Sequence, residues 1–166
     1  ERLIGYLWPE SDGDAARHLL SESLYVLRKA LGEAAFVAAG DEVGVDGAVV
    51  RCDVAAFEEA IAAGELERAA ALYGGPYLDG FYVSDAPEFE RWAEGERDRL
   101  ARAFARVLER LAEASEAGGR WTAAVEWWQR LFTHDPFSSR TVLRLMSAMD
   151  AAGERGVFVN TASVAA

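Results

Sequence analysis

From Pro87 to Ala117 the chain has no internal proline, and Phe89, Trp92, Leu100, Phe104, Val107, Leu108 and Leu111 recur at helical spacing. Ser84-Asp85-Ala86-Pro87 supplies an N-cap candidate followed by proline near the first helical position, and Gly118-Gly119 stops the run. At 1.5 Å per residue such a helix reaches about 45 Å. With a continuous apolar stripe it must lean on the helices before and after it. The fold is therefore expected to be mainly α, with shorter helices laid along this one.

The flanking segments supply them. Arg120 to Thr133 reads as a partner helix with Trp121, Ala124, Val125, Trp128 and Leu131 inward, ended by Asp135-Pro136. Ser138 or Ser139 then caps a helix through Thr141, Leu143, Leu145, Met146 and Met149 to Gly153. Leu108, Leu111, Ala112, Ala124, Trp128 and Pro136 sit near the spacing of a tetratricopeptide repeat, in which small residues let paired helices approach and large ones fill the groove between pairs. Ser115 stands where that pattern expects tyrosine. Upstream, Asp53 is placed as the N-cap of a helix with Val54, Phe57, Ala60 and Ile61 on its inner face. Gly64 breaks it, and Glu65 to Tyr73 starts another with Ala69, Leu72 and Tyr73 inward. This hairpin reads as a divergent earlier repeat. Between it and the long helix, Tyr77-Leu78-Asp79-Gly80-Phe81-Tyr82 is an aromatic loop. Either it forms part of a ligand pocket, or Tyr77, Leu78, Phe81 and Tyr82 pin it onto the helical core.

The front of the chain is organised differently. Arg2 to Trp8 is a short helical pattern stopped by Pro9. A second helix opens with Ser11 and Asp12 as N-cap types, carries Asp14 in its first turn, and closes at Gly32. Ala16, Leu20, Leu24, Leu27 and Leu31 make its expected buried stripe, and the opposite face shows Arg17, His18, Ser21, Tyr25, Arg28 and Lys29. These side chains can contact phosphates, and Arg and Ser can also read base edges. Phe36-Val37 and Val43-Val45 flank a Gly40-Asp41-Glu42 turn and read as a short β-hairpin; Gly47 to Arg51 is a link or one more strand. Helix, tight connection, amphipathic helix and hairpin follow the order of a winged helix-turn-helix, whose second helix enters the major groove. The expected division is a partial winged helix-turn-helix at 1–51, a tetratricopeptide-like domain at 52–153 and an irregular tail at 154–166, where Val157, Phe158 and Val159 break the helical pattern.

LIGYLWPE, AARHLL and LYVLRKALG resemble the DNA-binding half of bacterial SARP/AfsR-type transcriptional regulators. DVAAFEEAI, AAALYGGPYLDGFYV and FERWAEGERDRL resemble their bacterial transcriptional activator domain. The resemblance runs from about Leu3 to about Gly153, and LYGGPYLDGF followed by FERW is its most specific part. It implies an OmpR/PhoB-like winged helix that binds double-stranded promoter DNA, and a helical domain for self-association, regulatory contacts or contact with RNA polymerase. On this reading Arg17, Arg28 and Lys29 anchor phosphates, and His18, Ser21 and Tyr25 lie nearer the groove. The alternative is a helical-repeat interaction scaffold that does not bind DNA.

Charge limits the first reading. The net charge of -11 argues against non-specific coating of nucleic acid, which needs clustered Lys and Arg. The candidate helix itself is only mildly basic, because Asp14 and Glu22 offset part of Arg17, Arg28 and Lys29. Weak DNA affinity from one copy is expected, with function through dimers, tandem sites or help from polymerase. Cys52 is the single cysteine, which excludes an intrachain disulfide and suits a reducing cytoplasm. It could pair with a histidine as a nucleophile, or simply be packed. His18 and His134 do not stand at metal-ligand spacing with it, and Gly74-Gly75-Pro76 lacks the Lys-Ser/Thr of a phosphate loop. No enzyme, metal or cofactor is expected. No apolar run approaches a membrane span, no signal-peptide pattern opens the chain, and a start at Glu1 without methionine suggests a piece of a longer product.

Overall fold

The computed structural model describes residues 2–40 and 42–153. The chain is mainly helical with one two-stranded hairpin. In order it runs α1 (Arg2–Leu7), α2 (Gly13–Leu31), a 3-10 turn (Glu33–Ala35), β1 (Phe36–Ala39), β2 (Glu42–Val45), α3 (Asp53–Ala62), α4 (Leu66–Leu72), α5 (Pro87–Ala117), α6 (Trp121–His134) and α7 (Ser139–Ala152). The reading of the tail falls outside the described residues.

The core is a stack of helices, α3 on α4, α4 on α5, α5 on α6 and α6 on α7. Its centre is Leu100, Phe104, Val107, Leu108 and Leu111 of α5 against Val125, Trp128 and Leu131 of α6. Ala112 and Ala124 are fully buried, which is where the two helices can approach most closely. Ser115 is also buried, and its hydroxyl donates back to the Leu111 carbonyl at 2.8 Å, so a polar group fits the helix contact without losing its hydrogen bond. Between α4 and α6, Arg130 donates to the Ala70 carbonyl at 3.1 Å and lies over the Trp127 ring at 5.1 Å. Successive helix–turn–helix pairs of this kind are the tetratricopeptide-like architecture that the spacing of Leu108 through Pro136 predicts.

A second apolar cluster joins the front of the chain to this stack. Ala86, Phe89 and Ala93 at the start of α5 receive Tyr6 and Leu7 of α1, with Leu78, Val83 and Trp92 around them. Tyr6 stacks on Trp92 with ring centroids 5.7 Å apart. The short first helix thus rests on α5, a contact far apart in sequence that no local pattern announces.

Several expectations differ from the structure. The α2 stripe is only partly covered: Ala16 is buried, but Leu27 and Leu31 are 44% and 52% exposed. α1 and the 3-10 turn make the main contacts with α2. Trp121, at the mouth of α6, is exposed, as are Leu143 and Met146 of α7. Of the four loop residues, Tyr77 and Leu78 are half-buried, Phe81 is exposed on one side but stands edge-on to Phe89 with ring centroids 6.0 Å apart, and Tyr82 is exposed, so the loop is pinned through the first three. Asp53 is the first helical residue of α3, not its cap, and Cys52 holds the cap position. Neither Ser84 nor Asp85 caps α5. Ala86 does, and Glu90 reaches back to accept the Val83 N–H at 2.9 Å. Gly47 to Arg51 forms no strand, because Asp46 gathers the N–H groups that would pair: its carboxylate accepts from Ala48, and its carbonyl from Val49 and Val50. Glu42 belongs to β2, opposite Ala39.

Candidate nucleic-acid interface

The polar face of α2 belongs to a helix capped at both ends. The Asp12 carboxylate accepts from the N–H groups of Asp14 at 2.9 Å and Ala15 at 3.1 Å, which satisfies two donors of the first turn. The bonds from Ala15 and then Asp14 hold its carboxyl below its ordinary range. Arg28 and Lys29 lie in the last turn, where the macrodipole favours cations. Gly32, at a φ of 93°, ends the helix by donating to the Arg28 carbonyl at 2.8 Å. That left-handed dihedral favours glycine and turns the chain into the 3-10 segment and the hairpin.

The structure brings the six candidate residues onto one side of α2, spread over about 18 Å of helix. Arg17, His18, Ser21, Tyr25 and Lys29 are exposed, and Arg28 is half-buried. Their partners differ. Arg17 pairs with Asp14 at 2.9 Å and His18 approaches Glu22 at 3.4 Å. Arg28 leans toward Glu33 at 3.6 Å. The Ser21 hydroxyl donates to the Arg17 carbonyl at 2.9 Å, along the helix rather than outward. Tyr25 is 67% exposed, and among the described residues Lys29 has no ion pair. A shallow depression on this face is lined by His18, Ser21, Glu22, Tyr25 and Val26.

The carboxylate missed at the sequence level is Glu33. Asp14 and Glu22 can be paired with Arg17 and His18 by counting three or four residues along a helix. Glu33 meets Arg28 only because Gly32 reverses the chain, and that reversal has no helical periodicity to reveal it. The hairpin beyond is an exposed ribbon with Phe36 opposite Val45 and Ala39 opposite Glu42; Asp41, the acidic residue expected at its tip, lies outside the described residues.

The other reactive side chains do not assemble. Cys52 is exposed, so the reading of a packed thiol is corrected: its place just before α3 leaves it outside the helix contacts. The His134 ring lies edge-on to Phe104 and its Nε2 is 3.1 Å from the Ala101 carbonyl, a structural contact between α6 and α5. Among the described residues no group of three His, Cys, Asp or Glu side chains could hold a metal, and no helix is long and apolar enough to cross a membrane.

The family model described as the bacterial transcriptional activator domain matches residues 47–157, which spans α3 to α7 and well over half of the chain. No curated protein and no solved structure matches it.

Proposed function

Because the chain belongs to the bacterial transcriptional activator domain family, we propose that it is a transcriptional regulator, with the segment before residue 47 as part of a winged helix-turn-helix that reads promoter DNA. The observation that carries this reading is the polar face of α2. A capped helix with Arg17 and Lys29 toward solvent and Arg28 half-buried beside them, followed by a 3-10 turn and an antiparallel hairpin, stands immediately before the matched domain. Lys29 and Arg17 are the phosphate anchors, with His18, Ser21 and Tyr25 nearer the base edges. The ion pair holding Arg17 is no obstacle, since an exposed pair contributes only about 0.2–1 kcal/mol and a phosphate can replace the carboxylate. Arg28 must leave Glu33 to do the same. The stacked helices from α3 onward serve self-association or contact with RNA polymerase, in the bacterial cytoplasm.

A second reading has its own observation. Asp14, Glu22 and Glu33 each face one of the candidate cations or His18, so the α2 face carries little net positive charge. A helical-repeat scaffold that binds protein rather than DNA fits that balance.

Fluorescence anisotropy with the duplex upstream of its own gene, over a series of salt concentrations, separates the two. A promoter-reading protein loses affinity steeply with salt, prefers that duplex to a scrambled one, and weakens on Lys29→Ala and Arg28→Ala. Equal, feeble binding to both duplexes at all salt concentrations sinks the DNA reading in favour of the scaffold.

A further inference from the structure

The aromatic loop closes a cavity that the DNA reading does not use. Its volume is about 330 Å³, at the small end of the range for ligand sites. Phe57, Leu72 and Leu100 form an apolar floor, and the rings of Tyr73 and Tyr77 stand around it. The charged residues lining it are Asp53 and Asp79, both carboxylates. Asp79 makes no ion pair or hydrogen bond among the described residues, and neither tyrosine hydroxyl has a hydrogen-bond partner there.

The cavity is built rather than incidental. Arg97 donates from Nε to the Tyr77 carbonyl at 2.8 Å and from its terminal nitrogen to the Leu78 carbonyl at 3.3 Å, which fixes the loop against α5. Leu78 is held at a φ of 50°, a left-handed dihedral that a leucine adopts only when its surroundings impose it. Arg97 places two of its N–H groups on these carbonyls and does not line the cavity. The Tyr77 hydroxyl is pushed up first by burial, then by Cys52, Glu96 and Asp53.

We propose that this cavity binds an organic cation, an ammonium or guanidinium carried on an apolar body. The body lies over Phe57, Leu72 and Leu100, the cation meets the Tyr77 ring, and Asp79 with Asp53 supplies the counter-charge, while the Tyr73 ring is stacked on Phe104 and serves as wall. An anion of the same size would meet two carboxylates and no cationic side chain in the lining. The cation comes either as a free amine or as the basic side chain of a partner peptide.

The test is calorimetry and amide NMR shift mapping on the full chain with phenethylammonium, with phenylacetate as the anion of matched bulk, and with N-acetyl-lysine methylamide as the peptide-borne cation. Phenethylammonium is expected to saturate and to move the amides of Gly74, Gly75 and Asp79, while phenylacetate does not. Asp79→Asn is expected to weaken binding about tenfold with its melting temperature unchanged, since a charge-assisted contact is lost and no internal partner is. Tighter binding of the lysine amide than of phenethylammonium identifies a peptide as the source, and the reverse order identifies a free amine. Absence of saturable binding by both cations, equal binding of phenylacetate, or full affinity in Asp79→Asn overturns the proposal. None of these outcomes depends on whether α2 binds DNA.

Discussion

The indole Nε1 of Trp128 donates to Glu116 Oε1 at 2.7 Å, tying the middle of α6 to the last turns of α5. The other carboxylate oxygen of Glu116 accepts from Arg144 of α7, and the Arg144 guanidinium lies over the Trp128 ring at 5.3 Å. Three helices therefore meet at one indole that is 1% exposed. The donor of a buried tryptophan needs a partner, and the acid that provides it also recruits the next helix.

Truncation at this point is expected to cost more than any other single change in the stack. Trp128→Ala should lower stability by about 3–5 kcal/mol, the usual range for a large aromatic removed from a core. Trp128→Phe keeps most of the packing and loses the donor, and should cost about 1–2 kcal/mol. Urea unfolding followed by circular dichroism measures both. If the two variants lose the same amount, the hydrogen bond to Glu116 matters no less than the packing.

Arg97 is expected to control the loop without controlling the fold. Arg97→Met keeps the stem but removes two bonds to the Tyr77 and Leu78 carbonyls. Hydrogen exchange should quicken at the Phe81 amide, which donates to the Leu78 carbonyl at 3.1 Å, while amides in the middle of α5 and α6 stay protected. Uniform loss of protection through the helices would show that the loop is part of the cooperative core instead.

The cap of α2 has a predictable pH signature. The folded Asp12 carboxyl lies below its ordinary 3.8, so its contribution is fully present above that pH and is lost as pH falls through the lower, folded value. Asp12→Ala should therefore reduce helicity at neutral pH, and the difference from the parent chain should shrink below about pH 3.8 as the parent's own carboxyl protonates. Far-ultraviolet circular dichroism across that range checks it. A difference that persists unchanged at low pH contradicts a carboxylate cap.

On the proposed DNA reading, the acids on and beside α2 are expected to set its affinity for phosphate. Glu33→Gln releases Arg28 and should strengthen duplex binding severalfold at low salt, with a steeper salt slope because one more cation is available to phosphates. Glu67→Gln, on exposed α4 surface away from this face, should change nothing. Equal effects of the two substitutions would point to net charge alone rather than to a site on α2.

What the sequence determined by itself is the set of helices and most of their ends. Periodicity marked Leu100 to Leu111 and Ala124 to Leu131 as buried faces, and Asp12, Gly32, Gly64, Pro87 and Gly118 marked boundaries, because these signals act within a few residues along the chain. The six polar residues on one side of α2 were legible for the same reason. Tertiary structure decided what meets what. It set Tyr6 on Trp92, Glu33 beside Arg28, Arg97 on the loop carbonyls, and Glu116 between Trp128 and Arg144. It also left Leu27, Leu31 and Trp121 exposed where amphipathicity had placed them inside. An apolar stripe records that a surface is suited to burial; whether it is covered depends on which other elements the chain brings to it.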